Sequence, residues 1–240
     1  MTIRHIYRYL AATGGLTVLA VGGLPAHSPI APAKAAEALD LDQGGSTRSL
    51  YLVLIQQARK DGRQRAALAF LDDFDRQYPG DREARILRVN CLLDLGQMGQ
   101  AQTALALIPA TDRSAEAIEI RGHVLAAQER WPEAIAEYRA ALRASPANPL
   151  TSNALGYALL RQGQPGEAIE ALKGAYDLAP RNEVVRNNLA LALTVAGRRG
   201  EADALLSKVR DATEKARLRQ QIAEQAALML APPATASREP

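Results

Sequence analysis

Residues 149–182 read PLTSNALGYALLRQGQPGEAIEALKGAYDLAPRN, and residues 115–148 read AEAIEIRGHVLAAQERWPEAIAEYRAALRASPAN. Laid over one another, the two stretches match Gly122 to Gly156, Ala134 to Ala168, Ala141 to Ala175 and Pro146 to Pro180, each pair 34 residues apart. The same beat runs outward. Ala67, Ala101, Ala134, Ala168 and Ala202 are spaced by 34, 33, 34 and 34 residues. Gly62, Gly96, Gly163 and Gly197 each precede one of these alanines by five residues, and Pro79, Pro146 and Pro180 each follow one by twelve. A period of this length with a turn inside each unit means an array of helix-turn-helix repeats. The units are 48–81, 82–114, 115–148, 149–182 and 183–216. An irregular alanine-rich helical bundle is the alternative, but it has no reason to keep glycine, alanine and cap residues in phase over five units.

Local chemistry supports the register. Asp81, Ser114, Asn148 and Asn182 stand immediately before a new first helix, and all four are N-cap types. Pro149 and Pro132 open helices at positions where a missing N–H costs nothing. The small residues at positions 8, 20 and 27 of the two central units let the paired helices approach closely. The outer units depart from this pattern at Ile55 and Phe74, at Val89 and Ile108, and at Ala190 and Val209. Atypical end units are expected, because an end unit lacks a neighbour on one side.

The pattern of a small residue at position 8, Ala at 20 and 27 and Pro at 32 resembles the tetratricopeptide repeat (TPR) over residues 48–216. The resemblance implies an all-α solenoid of about five helix-turn-helix units that binds a protein or peptide segment. Its concave groove would be lined by positions 2, 5, 6, 9, 12 and 13 of each first helix. In this chain the candidates for a protein-binding groove are Arg59, Asn90, His123, Asn153, Tyr157, Arg161, Asn187, Asn188 and Leu191. Side-chain amides can both donate to and accept from an extended backbone, and Tyr157 and Leu191 would grip an apolar side chain. The competing reading is that some of these amides, Asn188 and Asn153 among them, satisfy one another between adjacent helices. The lysine and asparagine combination of carboxylate-clamp TPR domains is absent, so an acidic C-terminal peptide is not the default ligand.

Residues 1–35 read differently. Arg4, His5 and Arg8 precede an apolar stretch from Leu10 to Leu24, and a Pro- and Ala-rich segment ends at Ala33, Lys34 and Ala35. That layout predicts a cleaved secretory signal peptide and export to the periplasm. The alternative is an uncleaved anchor that tethers the array at the inner membrane, facing the periplasm. No cysteine stands at the end of the leader, where a lipid would be attached, so the layout is not that of a lipoprotein. Residues 36–47 read as a linker and 232–240 as a disordered tail.

Of the 29 basic residues, Arg4, Arg8 and Lys34 belong to the leader, and the rest equal the 26 acidic ones. A balanced mature chain argues against nucleic acid as a partner. Any membrane contact is expected only through an uncleaved leader.

The parts of an active site are scarce. Cys91 is the only cysteine, which excludes an intrachain disulfide, and His123 is the only histidine beyond the leader. A Cys and His zinc site is out of reach, and no phosphate-binding glycine loop appears. The expectation is therefore no enzyme, no cofactor and no metal. The rival reading makes the array an accessory or regulatory subunit of an enzyme that modifies a cell-envelope polymer, with Cys91, Glu119 and His123 as a cryptic site. No feature of the sequence sets an oligomeric state.

After the last unit, Leu218, Ile222, Ala226 and Met229 carry an amphipathic rhythm within Thr213 to Leu230. This predicts a capping helix, assigned to 217–231, over the second helix of the final unit. Asn187 to Leu193 read NNLALAL, followed by Ala196, Gly197, Arg198, Glu201 and Ala202. With the leader and the repeat number, this closing unit resembles TadD-like TPR components of Flp/Tad pilus assembly. The resemblance implies a scaffold in a pilus or secretion machine.

Overall fold

The computed structural model describes residues 44–231. Among them the secondary structure is wholly helical, and the helices pair in chain order. Unit one is α1 (Gly44–Lys60) and α2 (Gln64–Gln77), and unit two is α3 (Arg82–Asp94) and α4 (Met98–Ala106). Units three and four are α5 (Ala115–Ala127) with α6 (Trp131–Ala144) and α7 (Pro149–Arg161) with α8 (Pro165–Leu178). Unit five is α9 (Glu183–Val195) with α10 (Arg199–Leu206), and α11 (Ala212–Leu230) follows. Each first helix packs on its own second helix, and each second helix packs on the next first helix. The result is the TPR solenoid that the period implies.

The boundaries are chemically marked. Asp81 accepts from the Ala84 amide, Ser114 from Ala117, Asn148 from Leu150 and Thr151, and Asn182 from Val184 and Val185. Each cap satisfies amides that the first turn leaves without a helical partner. The turns inside the five units close in one way. Arg63, Gln97, Arg130, Gln164 and Arg198 each donate their amide to a carbonyl five residues back, at 2.8–3.0 Å. The residue before each of them is left-handed, with φ between 60° and 79°. Four of those residues are glycine, for which the conformation is inexpensive. In the third unit it is Glu129, with φ 60°.

Close approach within the central units explains their small residues. A Cβ on Gly156 would lie 2.4 Å from Leu172 Cγ and 3.1 Å from the Ala168 carbonyl oxygen, and one on Gly122 would lie 2.7 Å from Tyr138 Cε1. The outer units fill the same space differently. Ile55 and Phe74 are fully buried, and Phe74 is bracketed by Tyr51 and Tyr78 with ring centroids 5.8 and 4.7 Å away. This N-terminal core extends to Ala84, Leu87 and Cys91, and a second core runs from Val89 to Ala226.

Three details differ from the sequence reading. The first helix starts at Gly44, inside the segment expected to be linker. The expected boundary at residue 216 falls inside α11, which is one continuous helix from Ala212. That helix lies mainly along α9 and touches α10 only sparsely, whereas the sequence reading put it over the second helix of the unit. The reason is geometric: α10 is only eight residues long, so α9 is the element left with an open apolar flank beside Leu218, Ile222 and Ala226. The leader, most of the linker and residues 232–240 lie outside the described residues. No described helix is long and apolar enough to cross a membrane.

Candidate functional site: the first-helix face

The first helices α1, α3, α5, α7 and α9 lie side by side and present the face on which the groove residues were expected. Polar side chains join every neighbouring pair. Between α1 and α3, Gln56 donates to Glu83 at 3.1 Å and Arg59 Nε donates to Asp94 Oδ2 at 2.6 Å. Between α3 and α5, Arg82 Nη2 donates to Glu116 Oε2 at 2.9 Å. The same guanidinium donates to Asp112 in the preceding loop at 2.7 Å and to the Ser114 hydroxyl. Between α5 and α7, the Thr151 hydroxyl donates to Glu119 Oε1 at 2.9 Å. Between α7 and α9, Asn188 Nδ2 donates to Asn153 Oδ1 at 2.9 Å.

These bridges change what several expected groove residues do. Asn153, Tyr157, Asn187, Asn188 and Leu191 were expected to face an extended partner, but all five are buried. The amides of Asn153 and Asn188 meet each other in the α7–α9 contact, a pairing the sequence reading did not specify. The Asn187 oxygen accepts from Arg186 Nε at 3.3 Å. Leu191 lies on α9, the helix along which α11 packs, and joins the same core as Ile222 and Ala226. Tyr157 sets its ring against Trp131 in an edge arrangement, with centroids 6.3 Å apart. Arg59 is held by Asp94, which leaves Asn90, half-buried on α3, and Arg161 as the more available members of the set.

Arg161 closes α7 at the edge of this face. Its Cζ stands 4.6 Å over the Trp131 ring, and its Nη2 is 3.8 Å from Glu129 Oε1. Sequence reasoning gave no role to Glu129 or Thr151. For Thr151, a threonine at position 3 of a first helix carries no signal until the neighbouring Glu119 is seen.

His123 and Cys91 are both structural in their surroundings. His123 Nδ1 is 2.8 Å from the Tyr138 hydroxyl, and Nε2 is 3.7 Å from Glu119 Oε1. Burial pushes the imidazole pKa down, against the opposing pull of Glu119. Cys91 is fully buried, and burial pushes its thiol up to about 11, so little thiolate exists at neutral pH. A nucleophile needs both access and ionisation, and Cys91 has neither. Among the described residues no group of three His, Cys, Asp or Glu side chains is arranged to hold a metal ion.

Comparison with known proteins agrees with this geometry. Models of the tetratricopeptide repeat match residues 120–183 in one case, and residues 58–121 and 159–224 in another. No curated protein matches at the sequence level. Among solved structures, a thermophilic TPR protein of Thermus thermophilus is 24% identical, with a TM-score of 0.64 over 75% of this chain and 99% of that one. PilW, described as a widely conserved type IV pilus biogenesis factor, is 21% identical, with a TM-score of 0.59 over 78% of this chain and 93% of that one. PilF of Pseudomonas aeruginosa is 18% identical, with a TM-score of 0.57 over 76% of this chain and 90% of that one. At these identities the likeness is one of fold. No enzyme family is matched. The repeat register, the capped helix pairs and family models that together run from residue 58 to 224 lead to one assignment: this chain belongs to the tetratricopeptide repeat family.

Proposed function

We propose that the protein is a non-enzymatic periplasmic scaffold that holds a segment of a partner protein on its first-helix face, within a pilus or secretion assembly machine. The observation that carries the scaffold reading is the set of polar bridges linking all five first helices, because they fix the face as one preorganised surface. The periplasmic part rests on the signal-peptide layout of residues 1–35. The pilus part rests on the TadD-like closing unit around Asn187 to Leu193, and on a fold shared with a type IV pilus biogenesis factor.

A photoreactive residue at Asn90, tested in intact cells and followed by mass spectrometry, examines this directly. The same residue at Leu178, exposed on the second helix α8, is the control. A defined pilus or secretion component joined at residue 90 and absent at 178 is the expected result. Equal capture at both positions, or none at residue 90, overturns the groove reading.

A further inference from the structure

We propose that Arg161, stacked on Trp131, receives a carboxylate side chain of the partner segment, and that Glu129 is an internal carboxylate competing for that place. The proposal rests on the groove reading above and names the partner's chemistry at one point of it.

The cations of the first-helix face are not equivalent. Arg59 and Arg82 are each held by a carboxylate at 2.6–2.7 Å. The Arg161 side chain makes no hydrogen bond among the described residues, and its nearest carboxylate, Glu129, is at 3.8 Å. The guanidinium is nevertheless oriented. The Trp131 face lies 4.6 Å below it, and Tyr157 buttresses that ring from the edge. The cation–π contact holds the guanidinium over the ring, and none of its N–H groups is committed to a hydrogen bond among the described residues, which leaves them for a bidentate acceptor. A planar carboxylate is the side-chain group that matches this fork.

Glu129 gives the second, independent observation. Four of the five units have glycine at this turn position, with φ between 71° and 79°, and only this unit has a residue with a side chain there. The left-handed conformation is unfavourable for glutamate, and such outliers cluster at ligand clamps. Its side chain is 56% exposed and only loosely engaged with that of Arg161, itself 28% exposed, so an incoming carboxylate with better geometry can displace it at little cost.

The test uses the full chain and a fluorescein-labelled peptide of alternating glutamate and glycine, with a glutamine-for-glutamate peptide as control. Anisotropy reports binding. Trp131, the only tryptophan in the chain, reports occupancy at the site through its emission. The glutamate peptide should bind and shift that emission, and the control peptide should bind at least about tenfold more weakly, the loss expected for one charge-assisted contact. Arg161→Gln should weaken the glutamate peptide by a similar factor. Glu129→Gly and Glu129→Gln should both tighten it, by about threefold or more if a loose surface pair is the competitor. Glu129→Gln keeps the left-handed turn occupied by a side chain, so a gain there separates competition from relief of the turn. Unchanged affinity in Arg161→Gln or in Glu129→Gln overturns the proposal, as does failure of the glutamate peptide to bind both wild type and Glu129→Gly. If crosslinking from residue 90 succeeds while the peptide tests fail, only the Arg161 site falls. Loss of crosslinking at residue 90 removes the groove reading itself.

Discussion

Asn188 Nδ2 donates to Asn153 Oδ1 at 2.9 Å between α7 and α9, with both side chains fully buried. One bond uses half of each amide. Among the described residues Asn153 Nδ2 and Asn188 Oδ1 have no partner and are shielded from solvent. A pair of this kind contributes less to stability than its burial suggests, because each orphaned group carries a desolvation cost. Asn188→Ala should therefore destabilise the array by about 1–3 kcal/mol, since it leaves the whole Asn153 amide unpaired. The double change Asn153→Leu with Asn188→Leu should be less harmful than the sum of its singles. Urea unfolding of wild type, singles and double, closed as a cycle, measures the coupling; strict additivity refutes it.

Two glycines should respond in opposite directions to the same substitution. A Cβ at Gly156 meets Leu172 Cγ at 2.4 Å and a backbone oxygen at 3.1 Å, so Gly156→Ala must part α7 from α8, at about 1–3 kcal/mol. Gly174 is in the interior of α8, with nothing within 4 Å of its would-be Cβ. There Gly174→Ala should add about 0.5–1 kcal/mol through helix propensity alone. Midpoints that shift the same way in both variants would contradict the close approach of the two helices.

The left-handed turns make a third contrast. Glu129→Gly should raise stability by about 1 kcal/mol, because the residue leaves a conformation that costs about 1–2 kcal/mol and loses only a loose surface ion pair. Gly163→Ala, at φ 79°, should lower stability by a similar amount, about 1 kcal/mol. Thermal melts of the two variants check the pair of signs.

These comparisons also show what could be read in advance. Gly122 and Gly156 were legible because a close helix crossing forces a small residue at a fixed place in every unit, and periodicity exposes such places. Asp81, Ser114, Asn148 and Asn182 were legible because capping is local. The fate of Asn153 and Asn188 was only half legible: their positions point both side chains toward the first-helix layer, but whether they face a partner or one another depends on the distance between α7 and α9. The missing glycine at position 129 was visible as a gap in the series. Its meaning required the backbone angle and Arg161, two elements away. For α11, an apolar stripe shows that the helix is covered but not which neighbour covers it.

The dependence of stability on pH should fall into two separate windows. Burial depresses the His123 pKa in the folded chain below its ordinary 6.5, with Glu119 opposing and the Tyr138 hydroxyl at Nδ1. Because the unfolded chain binds this proton more readily, its contribution to stability is present above 6.5 and is lost as pH falls through the lower folded pKa. At Asp112, hydrogen bonds from the Ser114 hydroxyl and amide, aided by Arg82, hold the carboxyl at about 2, against an ordinary 3.8. Its contribution is intact above 3.8 and is lost only as pH falls through about 2. His123→Gln, which keeps a polar group near Tyr138 but cannot titrate, should flatten the upper part of the stability profile and leave the lower part in place. Asp112→Asn should reduce the acid loss without abolishing it, because the carboxyls of Asp81, Glu116, Glu133 and Glu201 also sit below their ordinary values, and should leave the upper part in place. Stability measured by urea unfolding in steps from neutral to strongly acidic pH separates the two, and a His123→Gln profile that still falls just below 6.5 would assign that loss to some other group.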